Sequence, residues 1–71
     1  MNIESTVSGI VLRVLVAPGD QISVDQEVAI VESMKMEIPV VAEIEGTVDE
    51  VLVSEGDTIE EGDVLASLKA S

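Results

Sequence analysis

The sequence predicts an all-β domain, and three features carry that expectation: short β-branched runs, turn-forming residues between them, and an internal repeat. The runs from Ile10 to Val16, Val28 to Val31, Val40 to Ala42 and Val51 to Val53 are rich in Val, Ile and Leu and are broken by Gly, Asp or Pro, the punctuation that separates strands. Displacing the chain against itself by 37 residues brings Gly9 onto Gly46, Val11 onto Val48, Val14 onto Val51, Leu15 onto Leu52, Val16 onto Val53, Gly19 onto Gly56, Asp20 onto Asp57, Ile22 onto Ile59 and Ala29 onto Ala66. Two copies fall short of the roughly three that a stacked solenoid needs. The pattern predicts instead one domain over residues 1–71, made of two intertwined halves about a pseudo-twofold axis.

Each half reads as four short strands, near residues 2–7, 10–16, 21–24 and 28–33, then 37–43, 47–53, 58–60 and 64–69. Eight strands imply a sandwich or a flattened barrel. In Ala17-Pro18-Gly19-Asp20, Pro18 presets φ and Gly19 supplies a positive φ, which suits a type II turn; Ser54-Glu55-Gly56-Asp57 repeats it without the proline. Gly62 closes a further left-handed turn, and the first half has Asp25 there, which tolerates that region at some cost. Val11 and Val48 fall out of phase with Val14, Val16, Val51 and Val53, so a bulge or sharp twist is expected near Leu12 to Arg13 and near Asp49 to Glu50.

Composition narrows the function classes. A chain of 71 residues buries only about 60% of its unfolded surface, which leaves a marginal core. With no Cys and no His there is no disulfide framework, no zinc site of the usual ligands, no thiol nucleophile and no imidazole base. No catalytic residues and no metal ligands are therefore expected. A net charge of −12 repels phosphate backbones and anionic lipid heads, so neither nucleic acid nor membrane is an expected partner. Hydrophobic residues at 46% are too many for a solvated coil. No run approaches the roughly 20 apolar residues of a membrane span, and Met1 leads into polar residues rather than a signal peptide. The expectation is a cytoplasmic, complete chain, although a domain excised behind an added Met would read the same way.

The repeat breaks at one place. Glu32-Ser33-Met34-Lys35-Met36-Glu37-Ile38-Pro39 joins strands four and five, where the repeat has only chain ends to offer. Lys35 sits at a hairpin tip between two methionines and is one of three basic residues, with Arg13 and Lys69. In an arbitrary hairpin such a lysine is a solvated turn residue and the methionines fill gaps in the core. Here two large apolar side chains stand where turns place Asn, Gly or Asp, which makes more sense as a recognition surface. An exposed amine can attack an activated carboxyl when deprotonated, and its four-carbon stem then becomes part of a swinging arm. Glu32 and Glu37 either solvate their strands or dock basic partner surfaces.

ESMKM at the hairpin centre, followed by EIPVVAEIEGTV and GDTIEEGDVL, resembles the biotinyl domain of biotin carboxyl carrier proteins, in the wider biotinyl/lipoyl attachment family. The resemblance covers essentially the whole chain and is greatest to small stand-alone bacterial attachment proteins. It implies a barrel-sandwich hybrid: a flattened eight-stranded barrel of two four-stranded antiparallel sheets with pseudo-twofold symmetry. It also implies covalent biotin on Lys35, joined by a biotin protein ligase from biotinyl-AMP, with Met34 and Met36 as flanking recognition residues and Glu32 and Ser33 completing the motif. The implied protein is a non-catalytic, monomeric carrier in a biotin-dependent carboxylase or decarboxylase system. Biotin carboxylase would load CO₂ on its biotin and a carboxyltransferase would unload it. Lipoyl domains resemble Asp-Lys-Ala at this place and the glycine-cleavage carrier Glu-Ser-Val-Lys-Ala, so Met36 is the main discriminator. Asp25 stands where many relatives have Gly, and the first half lacks the inserted thumb of some acetyl-CoA carboxylase carriers. Three rivals stay open: a lipoyl or aminomethyl carrier, an unmodified interaction module like the lipoyl-like halves of membrane-fusion adaptors, and a fragment of a longer carboxylase.

Overall fold

Four turns of one design set the course of the chain. In Ala17–Asp20 the Asp20 N–H donates to the Ala17 carbonyl at 3.0 Å, while the Ala17 N–H donates to the Asp20 carboxylate at 2.9 Å. The same reciprocal pair closes Ser54–Asp57 and Glu60–Asp63, through Asp57 and Asp63. Gln26 closes Ser23–Gln26 with its side-chain oxygen in place of a carboxylate. The third residue of each turn has a positive φ: 94° at Gly19, 70° at Asp25, 93° at Gly56 and 92° at Gly62. That is the sign a type II turn requires there, and Asp25 adopts it without being glycine.

A computed structural model describes residues 1–69. Between the turns run β1 (Asn2–Glu4), β2 (Gly9–Val14), β3 (Gln21–Ile22), β4 (Glu27–Ser33), β5 (Met36–Val41), β6 (Gly46–Val51), β7 (Thr58–Ile59) and β8 (Val64–Leu68). They form two four-stranded sheets, in the orders β1-β8-β6-β3 and β5-β4-β2-β7, with every pairing antiparallel. This is the all-β barrel-sandwich that the sequence implies. The displacement of 37 residues carries β2 onto β6 and β3 onto β7 residue for residue, and converts one sheet order into the other.

Several strands are shorter than the apolar runs that signal them. β1 stops at Glu4 rather than Val7 because the buried Ser5 hydroxyl donates to the Val7 carbonyl at 2.6 Å and accepts its N–H at 3.3 Å. That local turn competes with the sheet ladder. Ser23 and Glu60 open turns, so β3 ends at Ile22 rather than residue 24 and β7 at Ile59 rather than residue 60. β2 and β6 end at Val14 and Val51, short of Val16 and Val53, although Leu15 and Leu52 still donate to Val28 and Leu65 of the neighbouring segments. β5 likewise runs to Val41 rather than residue 43, and β8 ends at Leu68, one residue before the expected end.

The expected bulges are present. The register slips between Val11 and Arg13 opposite β4, and between Val48 and Glu50 opposite β8. Each slip inverts the alternation of faces, so Val11 and Val48 turn inward to 1% and 0% exposure while Val14 and Val51 still pack on the core. The largest fully buried side chains are all valines: Val11, Val28, Val31, Val40 and Val48. Their single stiff χ1 loses little freedom on burial, which suits a body only 19 × 18 Å in section and 37 Å long.

At the chain ends, Asn2 pairs with Ser67 and the Leu68 N–H donates to the Met1 carbonyl at 2.7 Å. Displaced by 37, these become the pairs of Pro39 with Ile30 and Ile38 with Val31, beside the Lys35 hairpin. The N-terminus and the described C-terminal strand therefore occupy the pseudo-equivalent place to the hairpin; Ser71 lies outside the described residues. Pro39 lies on edge strand β5, where its missing N–H blunts strand addition by another chain.

Gly9 and Gly46 are pseudo-equivalent but not equally constrained. A Cβ on Gly9 would collide with the backbone carbonyl of Glu32 and lie 2.9 Å from Val31 Cγ1; on Gly46 it would meet only the Leu68 side chain, at 3.2 Å. Backbone cannot yield as a leucine terminus can. Gly9→Ala should cost at least about 3 kcal/mol and Gly46→Ala less than about 1.5 kcal/mol. Chemical denaturation of the two variants checks the order; equal costs would contradict it.

Candidate functional site

Strands β4 and β5 pair without interruption from Ala29–Val40 out to Ser33–Met36, which leaves Met34 and Lys35 as a two-residue loop. Their φ values are 53° and 64°. A hairpin loop with positive φ at both central residues is a type I′ turn, whose twist matches that of the strands but which favours Asn-Gly. Holding L-residues with a Cβ there costs roughly 1 to 2 kcal/mol each. Neither the composition nor the spacing of this stretch announces the left-handed pair: the expected strands, 28–33 and 37–43, leave three residues between them, whereas Met36 pairs with Ser33 as the first residue of β5 and so shortens the loop to two.

The strands point the tip into solvent. Met34 is 91% exposed and Met36 61%; Lys35, Glu32 and Glu37 are exposed and Ser33 is half-buried. The sequence-derived site residues are thus brought together on one hairpin end. Glu32 and Glu37 face each other directly across the strands, and the same outward row continues through Ile10 to Thr58. Like charges placed opposite each other destabilise a sheet slightly. The fold therefore gains nothing from this pair.

Gly9 belongs to the site indirectly, and the sequence reading did not single it out for this. Its missing side chain lets β2 lie against the Glu32 carbonyl, three residues before Lys35, and so seats the base of the hairpin. The repeat partner Gly46 was the clue to a backbone requirement, though not to which of the two is strict. A hollow of about 470 Å³, lined by residues that include Ile3, Ser5, Val41, Glu43 and Gly62, contains none of the residues 32–37. The hairpin is a projection rather than a pocket. Chemically it offers a primary amine on a flexible stem, held clear of the body between two thioethers and backed by carboxylates.

Residues 1–68 match the family described as "Biotin-requiring enzyme", and the chain belongs to this biotin/lipoyl attachment family. Among relatives, it is 52% identical to a Bacillus subtilis protein called biotin/lipoyl attachment protein, over all of this chain and 97% of that one. It is 45% identical to a biotinylated protein TB7.3 homolog of Mycobacterium leprae, over 92% of each chain. Larger proteins contain the same unit: human propionyl-CoA carboxylase alpha chain matches 94% of this chain at 40% identity but only 9% of its own length. In structure it resembles the urea carboxylase of Kluyveromyces lactis, with TM-score 0.88 and 32% identity over 97% of this chain and 6% of that one. The lipoyl domain of the Azotobacter vinelandii 2-oxoglutarate dehydrogenase complex follows, with TM-score 0.71 and 30% identity over 90% and 81% of the two chains.

The strain at the tip is measurable. Replacing Met34-Lys35 by Asn-Gly should stabilise the protein by roughly 1 to 2 kcal/mol, or about 4 to 8 °C per kcal/mol in thermal midpoint for a domain of this size. An unchanged or lower midpoint would show that the two left-handed residues are not strained.

Proposed function

We propose that this protein is a biotin carboxyl carrier whose biotin is joined by an amide bond to the Lys35 amine. The observation that carries the reading is the amine itself: a lysine at the apex of a two-residue turn, flanked by exposed Met34 and Met36, in a chain similar over its whole length to a biotin/lipoyl attachment protein. Glu32 and Ser33 complete the strand that leads to it.

The chain's own residues do three things. Lys35 supplies the nucleophile: a biotin protein ligase takes a proton from its amine, the nitrogen attacks the activated carboxyl of biotinyl-AMP, and AMP leaves. Met34 and Met36 present an apolar face for that ligase to read. The β4–β5 ladder holds the stem's base fixed while the four-carbon chain swings, which keeps the cargo at high effective concentration at two active sites in turn. Bound biotin supplies the chemistry of accepting and giving up a carboxyl group, and the protein supplies its position. The partners of this reading are the ligase, a biotin carboxylase and a carboxyltransferase. The carrier is itself non-catalytic and works as a cytoplasmic monomer. A lipoyl carrier is the second reading, favoured by the likeness to the 2-oxoglutarate dehydrogenase lipoyl domain; Met36 in place of alanine speaks against it.

Intact mass after expression with biotin and a ligase should show a single biotin adduct, lost in Lys35→Ala. A lipoyl mass would select the second reading, and an adduct that survives the substitution would place the site elsewhere.

Position should matter as well as composition. The double change Met34→Lys with Lys35→Met moves the amine by one residue of the turn and re-aims it. It should abolish biotinylation at least tenfold below wild type while far-UV circular dichroism stays native. Efficient modification of the moved lysine would mean that the ligase reads local sequence without the turn.

A further inference from the structure

The chain contains no Cys, His, Trp or Tyr, and two of its three methionines flank Lys35. Methionine is thus the side chain here that peroxide readily oxidises. Met34 and Met36 are 91% and 61% exposed, and neither belongs to the core cluster. Met34 also holds a left-handed φ of 53°, where Asn or Gly would cost less. Packing and turn geometry give no reason for a thioether at either place, and nothing in the core depends on its remaining apolar.

We propose that Met34 and Met36 form an oxidation site that switches Lys35 off as a ligase substrate, with hydrogen peroxide as the oxidant. The inference rests on the reading of Lys35 as the biotinylated residue. A sulfur lone pair takes one peroxide oxygen: an S–O bond forms, the O–O bond breaks, and the other oxygen leaves as water. The sulfur is oxidised by two electrons and the peroxide is reduced. The product is a polar, chiral sulfoxide, which no longer offers the apolar flank that a ligase would bury and must keep its own hydrogen bonds when desolvated. The Lys35 amine is chemically untouched, so the loss falls on recognition. Because both side chains stand in solvent, the fold survives the change, in contrast to sulfoxide formed inside a core.

The experiment uses the unbiotinylated protein with a biotin protein ligase, biotin and ATP, before and after hydrogen peroxide, with the sulfoxides located by peptide mass. Oxidation at both positions should lower kcat/KM at least tenfold, chiefly through KM, with far-UV circular dichroism unchanged. Treatment with methionine sulfoxide reductases of both epimer specificities should restore the rate. The Met34→Leu/Met36→Leu variant, which retains oxidisable Met1, should be modified equally well with and without peroxide. An unaltered rate for protein carrying both sulfoxides, or an equal peroxide effect on the leucine variant, overturns the proposal. If untreated protein is never biotinylated, the reading of Lys35 falls and takes the switch with it; if untreated protein is biotinylated and oxidised protein is too, the switch alone falls.

Discussion

Neither half of this chain can complete a sheet by itself, and the rest of the structure depends on that constraint. β3 of the first half pairs only with β6 of the second, and β7 of the second pairs with β2 of the first. The turns preceding those short strands dock on the partner half's bulged strand: Gly19 donates to the Val48 carbonyl and Val48 donates to Asp20, while Gly56 donates to Val11 and Val11 donates to Asp57. All four bonds are 2.7 to 2.9 Å long. Val11 and Val48 are buried, so these backbone groups would be costly to leave unpaired. Apart from the β4–β5 hairpin, the strand pairings join segments well separated in sequence, so the chain has few local contacts to lean on, and the exchanged turns join its halves into one cooperative unit.

From that interlock follows an asymmetry in how the chain is connected. The twofold relation gives two equivalent places where strands four and five of a pair can meet. In one the chain runs through as the β4–β5 hairpin, and in the other the pairing of β1 with β8 brings the chain ends together. Only the continuous crossing offers a tight turn, and Lys35 occupies it. The result is a compact body from which Lys35 projects on a tight two-residue turn. With a net charge of −12, the surface attracts cationic groups and repels anionic ones.

The tip spends stability on presentation. Two left-handed residues without a glycine between them, two exposed thioethers and an opposed pair of glutamates all run against what would make the hairpin most stable. Such local conflicts collect where function is served. Asp25, in contrast, is a left-handed residue in a turn already closed by the Gln26 side chain, so its cost is borne by structure and not by a site.

Much of the fold was legible in the sequence because its determinants are local or repeated. Gly19, Gly56 and Gly62 mark turns by their own conformational freedom, and the phase slips at Val11 and Val48 disclose bulges because a strand alternates faces with a period of two. The spacing of 37 residues fixed which elements correspond. The run around Lys35 likewise stands in the sequence, since it is five consecutive residues, Glu32 to Met36, read without reference to the fold. Strand ends were set by competing local hydrogen bonds such as those of Ser5 and Gln26, which no hydrophobic run encodes. Tertiary structure alone decided the rest. The left-handed geometry of Met34 and Lys35 follows from the register that β4 and β5 keep with each other, and the strictness of Gly9 against Gly46 from what lies above each. These are relations between segments distant in sequence or set by pairing, and they acquire a value only when the sheets close.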